Sequence, residues 1–278
     1  MSEHMSRRAL LVVRAGDKSM HERWQRGAPG DRRAFDLHIS YFGDAEDPYA
    51  DRPADVTLTR EKGAKFSGLE TCLTKIEDRL PAYDYVGFPD DDLSADCATW
   101  NRFVQILLEH RPAVAQPALS LDSFWSHDIL LQRRRYKLRW TNLIELMCPF
   151  FERDALTAAR PHFLENESGW GQDRLWPRIF DAEKRQLCVV DETPILHTRA
   201  VGTGPLYSYL SGKQKSTPFQ ELDSLIERHG LEVEPDRVYA GVTRAGTLVE
   251  DRVDQRRPLI LPRVRRRVRR MLSVNQVG

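Results

Sequence analysis

Five uninterrupted apolar residues, Ala9-Leu10-Leu11-Val12-Val13, stop abruptly at Arg14-Ala15-Gly16-Asp17. A run so short and so continuous has no polar side to turn toward water. It reads as a strand buried on both faces and ending in a loop. Such a strand needs covering layers on each side, and the residues that follow supply them. Residues 20–26 read as a short helix, 35–42 as a second strand closed by Gly43-Asp44, 45–54 as a loop and 56–59 as a short strand. Ser67 with Glu70 matches the S-x-x-E capping box, which predicts a helix starting at Ser67 with Pro81 as its end. Leu69, Cys72, Leu73, Ile76 and Leu80 recur in it at helical spacing. Residues 83–88 predict a strand that runs directly into Pro89-Asp90-Asp91-Asp92. A further helix follows, capped by Ser94 or Asp96, with Trp100, Phe103, Val104, Leu107 and Leu108 on its buried face. Pro112 stops it and 113–115 open another strand. Alternating strands and helices make an α/β sheet with helices on its faces. Sheets of this kind bind ligands beyond the carboxyl ends of their strands, where Arg14 and the Asp90 cluster both fall.

The chain has 278 residues, enough for one large domain or a domain with an appendage. Its formal net charge of +1 gives no global pull toward nucleic acid, so none is expected as a partner. The four cysteines are far apart and lack zinc-ligand spacing, which reads as small core residues in a reducing compartment rather than a structural zinc site. The apolar runs are too short for a signal core or a membrane span, so a cytoplasmic protein is expected. Residues 256–270 are dominated by arginine. They read as a solvated tail or as a basic segment meeting anionic lipid, peripheral to the inner membrane. In the second half, 142–151 are apolar but interrupted by Glu145, 186–191 form a strand leading through Pro194 to His197, and a helix around 219–229 ends at Gly230.

Three adjacent carboxylates at a strand end repel one another, and hard cations such as Mg²⁺ and Mn²⁺ prefer carboxylate oxygens. Asp90 and Asp92 are therefore candidate metal ligands, with Asp91 beside them, against the plainer reading of a solvated acidic turn. The spacing Asp90-x-Asp92-x-Ser94 also resembles the nucleophile motif of haloacid-dehalogenase-like phosphatases. That family places its motif on the first strand and needs a downstream acidic pair. In Ser168-Gly169-Trp170-Gly171-Gln172-Asp173 the glycines let the Trp170 indole approach a ligand, and aromatic faces suit the apolar faces of sugars. Asp173 is the candidate general base, or simply the cap of a helix over 174–180. Lys65, near a helix start, suits a phosphate. Arg14, Asp44, Lys65, Asp91 and Trp170 are carried as candidate nucleotide or sugar contacts. The run Arg133-Arg134-Arg135 reads as a phosphate contact or a solvated face.

These segments occur in an order that resembles a family of plant and bacterial proteins defined as a domain of unknown function with glycosyltransferase-like features. Gly63-Ala64-Lys65-Phe66, residues 83–93, 115–119, 145–151 and 168–173, and Val190-Asp191 through His197-Thr198-Arg199 carry the resemblance. It implies an α/β, GT-A-like fold: a mixed central sheet flanked by helices over 8–203, a small helical extension over 204–255 and a basic tail over 256–278. The D-x-D motif of metal-dependent GT-A enzymes is matched by Asp90 and Asp92, and a later histidine that often completes their metal site is matched by His197. The Gly-Trp-Gly segment is similar to the acceptor-side motif of the β-1,4-galactosyltransferase family, with Gln172 where that motif has an acidic residue. The resemblance implies an inverting, hexosyltransferase-type glycosyltransferase. It would use Mn²⁺ or Mg²⁺ and a nucleoside-diphosphate sugar, with a carbohydrate or glycolipid acceptor in surface polysaccharide or glycoconjugate synthesis. The alternative is a protein of the same fold that binds sugar or nucleotide without turnover.

Overall fold

A computed structural model describes residues 9–26, 33–200 and 217–250. The opening apolar run becomes β1 (Ala9–Ala15), with all seven residues buried. It pairs in parallel with β2 (Phe35–Tyr41), which pairs in parallel with β3 (Thr57–Arg60). On its other side β1 pairs in parallel with β4 (Tyr85–Gly87), the strand that delivers the aspartates. Gly87 is required there because a Cβ would stand 2.2 Å from the Phe150 ring.

Helix α1 (Lys65–Lys75) and helix α2 (Cys97–His110) pack on this half. The Asp96 side chain caps α2, accepting from the Thr99 N–H at 2.8 Å, an interaction worth about 1 kcal/mol. Trp100, Phe103, Val104 and Leu107 are buried as expected. The start of α1 differs from the capping-box expectation. The helix begins two residues earlier, after Ala64, and Ser67 lies inside its first turn. Glu70 is taken by a tertiary partner, since Arg160 Nε and Nη2 reach its two oxygens at 2.8 and 2.9 Å. Helix α1 also ends before Pro81, which sits within a separate 3-10 run over Glu77–Ala82.

The sheet continues through antiparallel and parallel pairs. Its remaining strands are β5 (Leu93–Ser94), β6 (Val114–Leu119), β7 (Tyr136–Thr141), β8 (Phe150–Glu152), β9 (Leu187–His197), β10 (Val238–Thr243) and β11 (Leu248–Val249). The hydrogen-bonded order is β11-β10-β7-β9-β6-β8-β4-β1-β2-β3, with β5 paired to β9 off that path. Strand β9 runs straight through Pro194 and ends on His197. Helices α3 (Arg153–Ala159), α4 (Gln172–Ile179) and α5 (Pro218–His229) complete the α-helices among the described residues, and the short helix expected over 20–26 is a 3-10 helix over His21–Gln25. The segment expected as a helical extension thus supplies α5, but also β10 and β11, which join the main sheet through β7. The basic tail over 256–278 lies outside the described residues. All four cysteines are buried and unpaired with one another. No helix among the described residues is long and apolar enough to cross a membrane.

Candidate active site

Beyond the carboxyl ends of β1 and β4 lies a cavity of about 470 Å³, within the range of small-molecule sites. Arg14, Lys65, Asp90, Asp91, Asp92, Trp170, Asp173 and His197 all line it. Asp44 does not. Its exposed carboxylate meets Lys62 Nζ at 2.6 Å.

The three aspartates differ in what they do. Asp90 follows β4, bridges to Arg14 in β1 and donates its N–H to Met147 O at 2.8 Å. Its carboxylate meets Lys65 Nζ at 2.6 Å, and the same ammonium donates to Leu146 O and Met147 O at 2.5 and 3.3 Å. The Asp90 side chain is 36 % exposed and lines the cavity. Enclosure, aided by Asp92 and opposed by Lys65, pushes its pKa up. Asp91 is a brace, because its two oxygens accept from the Gly16 N–H at 3.0 Å and from Arg199 Nη2 at 2.9 Å. Burial raises its pKa against both of those contacts. Asp92 faces His197 Nε2 at 3.5 Å and Arg199 Nε at 3.3 Å through Oδ2, while its buried Oδ1 has no hydrogen-bond partner. Burial works to raise the Asp92 pKa, and His197 and Arg199 together hold it below the ordinary carboxylate value.

The end of β9 fixes His197. Its N–H donates to Ser123 Oγ at 3.1 Å, and Nδ1 lies 3.0 Å from Phe124 O. A carbonyl can only accept, so Nδ1 carries the proton and Nε2 is turned toward Asp92. Burial would lower the imidazole pKa, but the hydrogen bond to Asp92 and the charges of Glu145 and Asp90 outweigh it and raise it. Among the described residues, one trio of His, Cys, Asp or Glu side chains has ligand atoms all within 4.8 Å of one another, and this is not that trio. Asp92 and His197 converge, while the Asp90 carboxylate is turned to Lys65.

Arg14 lies at the cavity wall, but its guanidinium is engaged. It donates to Ser40 Oγ at 3.0 Å, Glu61 O at 2.9 Å and Gly63 O at 2.9 Å. Lys65 is similarly held. The Arg133 to Arg135 run is not part of the cavity lining.

Across the cavity, Gly169 and Gly171 adopt φ of +79° and +96°, which side-chain-bearing residues rarely reach. A Cβ on Gly169 would also stand 2.5 Å from the Phe66 ring. This turn presents Trp170, whose ring stands edge-on to Phe219 of α5 at 4.9 Å. Gly171, not Asp173, is the N-cap of α4, so Asp173 sits inside the first turn with its carboxylate toward the cavity. Burial raises its pKa, with Glu145 adding and Arg174 and His127 opposing. Gln172 is fully buried and its amide donates to His162 O.

Among the lining residues that sequence reasoning missed are Glu145, Arg199 and His127. Glu145 has a buried Oε2 without a partner, and its one signal was a charge interrupting an apolar stretch. Arg199 is two residues past His197. His127 bonds Asp236 at 3.2 Å from an irregular loop, with no local signal at all. Burial works to lower the His127 pKa, and the carboxylates of Asp236, Glu145 and Asp173 together raise it.

No protein-family model matches the sequence, and no curated protein matches it. Solved structures do resemble the fold. GalNAc-T7, solved with UDP, GalNAc and Mn²⁺, superposes with a TM-score of 0.55 at 10 % identity over 81 % of this chain. This chain spans about half of that protein, 48 % of its length. Residues 1–349 of S. aureus TarS superpose with TM-scores of 0.45, in complex with UDP-GlcNAc, and 0.46 for the structure named without it. Identities there are 10 and 11 %, over 80 % of this chain and 72 and 71 % of TarS 1–349. The likeness to GalNAc-T7 concerns architecture, and the architecture is a mixed α/β sheet flanked by helices, the GT-A glycosyltransferase fold.

Proposed function

We propose that this chain is a metal-dependent glycosyltransferase that moves a sugar from a nucleoside-diphosphate sugar to a hydroxyl acceptor. The observation that carries the reading is the Asp92 carboxylate, with one oxygen buried and unpartnered and the other facing His197 Nε2 at 3.5 Å. An unsatisfied buried oxygen beside an imidazole nitrogen fits a divalent cation. Mg²⁺ and Mn²⁺ commonly take one or two protein ligands plus the phosphates of the substrate. Asp92 and His197 would hold the ion, and Asp90 joins them only by leaving Lys65. A cation there would offset charge on the departing nucleoside diphosphate.

The chain's own residues do the remaining work. Asp91 ties the loop after β1 to Arg199, so the donor-side wall is rigid before any ligand arrives. Trp170 offers a face to a sugar ring, steadied by Phe219. Asp173 takes the proton from the acceptor hydroxyl, and the burial that raises its pKa makes it a stronger base. Direct attack by that hydroxyl inverts the anomeric centre. The departure from the acceptor-side motif at Gln172 does not weaken this assignment, because Gln172 is a buried prop directed at His162 O. Glu145 is the rival base, since it lines the same cavity with an unpartnered oxygen.

The test uses the full chain with Mn²⁺ and a panel of nucleoside-diphosphate sugars. Slow, metal-dependent donor hydrolysis is expected for at least one donor. Metal-dependent nucleotide binding without any hydrolysis would favour the non-catalytic alternative. The absence of both would sink the reading.

A further inference from the structure

Away from that cavity, the trio noted above draws together two segments. His162 closes the 3-10 turn Arg160–His162, Glu165 follows three residues later, and His229 is the last residue of α5. His162 Nδ1 bonds one oxygen of Glu165, and His229 Nε2 meets the other at 2.6 Å. The ligand atoms of the three side chains all lie within 4.8 Å of one another, each residue is partly buried, and the two imidazoles stand 5.4 Å apart, edge to face. None of the three lines the cavity. We propose that His162, Glu165 and His229 form a second metal site, of the zinc type, that ties α5 to the segment leading into the Gly-Trp-Gly turn.

The donor set decides the metal class. Two imidazole nitrogens and one carboxylate suit Zn²⁺ and its transition-metal neighbours, whereas Mg²⁺ and Ca²⁺ prefer oxygen throughout. Three protein ligands leave a fourth position, which at a partly exposed site falls to water. The site uses none of the cysteines, so their spacing does not bear on it. A local competitor is Arg228, whose Nη1 donates to Glu165 Oε2 at 3.1 Å and to Glu165 O at 3.3 Å. That side chain is 52 % exposed and is free to swing out when a cation takes its place.

The position gives the site a purpose. Between Glu165 and the cavity run Asn166, whose side chain bonds both Trp170 O and the Gly169 N–H, and Ser168, whose N–H donates to Glu221 of α5 at 2.8 Å. A metal bridging His162 and Glu165 to His229 would clamp the same two elements at their far end. Trp170 is thereby held from both sides of the turn.

The test begins with the full chain stripped by chelator and dialysed against micromolar free Zn²⁺. One zinc per chain is expected on elemental analysis, with visible absorption on Co²⁺ substitution and a rise of a few degrees in Tm on adding Zn²⁺. His229→Ala should weaken zinc by more than about 100-fold, beyond the usual loss for removing only an outer-shell partner. Glu165→Gln keeps the size but removes the carboxylate and leaves one acceptor oxygen for the two imidazoles, so it decides the matter should His229→Ala fail to fold. Asp92→Ala should keep the zinc. No zinc retained by the wild type, equal zinc in wild type and Glu165→Gln, or loss of the zinc in Asp92→Ala would each overturn the proposal. The first two outcomes would leave a carboxylate clamping two histidines by hydrogen bonds alone. The third would place the ion in the cavity.

Discussion

Strand β9 carries two buried charge clusters six residues apart, built in opposite ways. At Asp191 both partners are fully buried, and Arg139 of β7 meets the carboxylate through Nε at 2.7 Å and Nη2 at 3.0 Å. The rest of that guanidinium donates to Ile129 O and Leu131 O, and the Arg133 N–H completes Asp191 Oδ1. Neither side chain keeps an unpartnered buried atom. Around His197, Asp92 Oδ2 meets His197 Nε2 at 3.5 Å and Arg199 Nε at 3.3 Å, and Asp92 Oδ1 has no hydrogen-bond partner. A low-dielectric interior makes a satisfied network rigid and an unsatisfied one costly. The first cluster is architecture. The second leaves a buried carboxylate oxygen unpartnered, the kind of cost that the metal site we propose there would offset.

The largest expected effect tests that contrast directly. Arg139→Met leaves Asp191 buried and uncompensated and should lower unfolding free energy by about 3–5 kcal/mol in denaturant titrations. Asp92→Asn should change stability by less than about 1 kcal/mol, or raise it, while weakening Mn²⁺-dependent nucleotide binding. Equal losses from the two substitutions would erase the distinction. Next in size, Asp173→Asn should lower transfer by about 10²–10⁴-fold with nucleotide binding retained. Full activity in that variant would move the role of base to Glu145.

What the sequence made legible follows from range. Buried strands such as β1 and the capped helix α2 are written in local periodicity and in one capping side chain, and both appear where expected. So does the delivery of Asp90 to Asp92 at a strand end. The capping box at Ser67 misled because Glu70 answers to Arg160, 90 residues away, and a local motif cannot encode a tertiary competitor. Lys65 and Arg14 read as phosphate contacts because a lone cation near a strand or helix end invites that reading. Both line the cavity, and their cations also meet main-chain carbonyls and side chains brought in by folding. Glu145 and His127 reach the cavity from loops with no periodicity, and His127 meets Asp236 across 109 residues. Strands β10 and β11 were hidden for the same reason. A short strand after a helix carries little pattern of its own, and its partner β7 lies about a hundred residues earlier.

The Asp92–His197 cluster should also respond to pH. The raised pKa of His197 means that, without a cation, its protonated form stabilises the fold. That contribution is complete below the unfolded value of about 6.5 and is lost as pH rises through the folded pKa. The lowered pKa of Asp92 acts conversely, giving stability present above about 3.9 and lost as pH falls through its folded pKa. Cation binding needs neutral His197, so Mn²⁺-dependent nucleotide binding should strengthen by up to about tenfold per pH unit toward a midpoint above about 6.5. Isothermal titration across pH 6–8 reads this, and His197→Gln should flatten the profile. A profile unchanged in that variant would remove His197 from the metal site.

The smallest effect concerns the support of the site rather than its chemistry. Helix α5 starts with a capping box in which the Thr217 N–H donates to Gln220 Oε1 at 2.8 Å and Thr217 Oγ1 accepts from the Gln220 N–H at 3.3 Å. Thr217→Ala should cost about 1 kcal/mol, read as a fall of roughly 2–4 °C in Tm. The helix brings Phe219 against Trp170 and Leu222 to the cavity wall. Frayed at its start, α5 should loosen the Trp170 side while Mn²⁺-dependent binding of a bare nucleoside diphosphate stays at its wild-type value. If that binding falls along with Tm, the donor-side wall depends on α5 as well. The Asp92–His197 cluster would then be held by tertiary packing from a far later part of the chain, and the contrast with the fully hydrogen-bonded Arg139–Asp191 pair would widen.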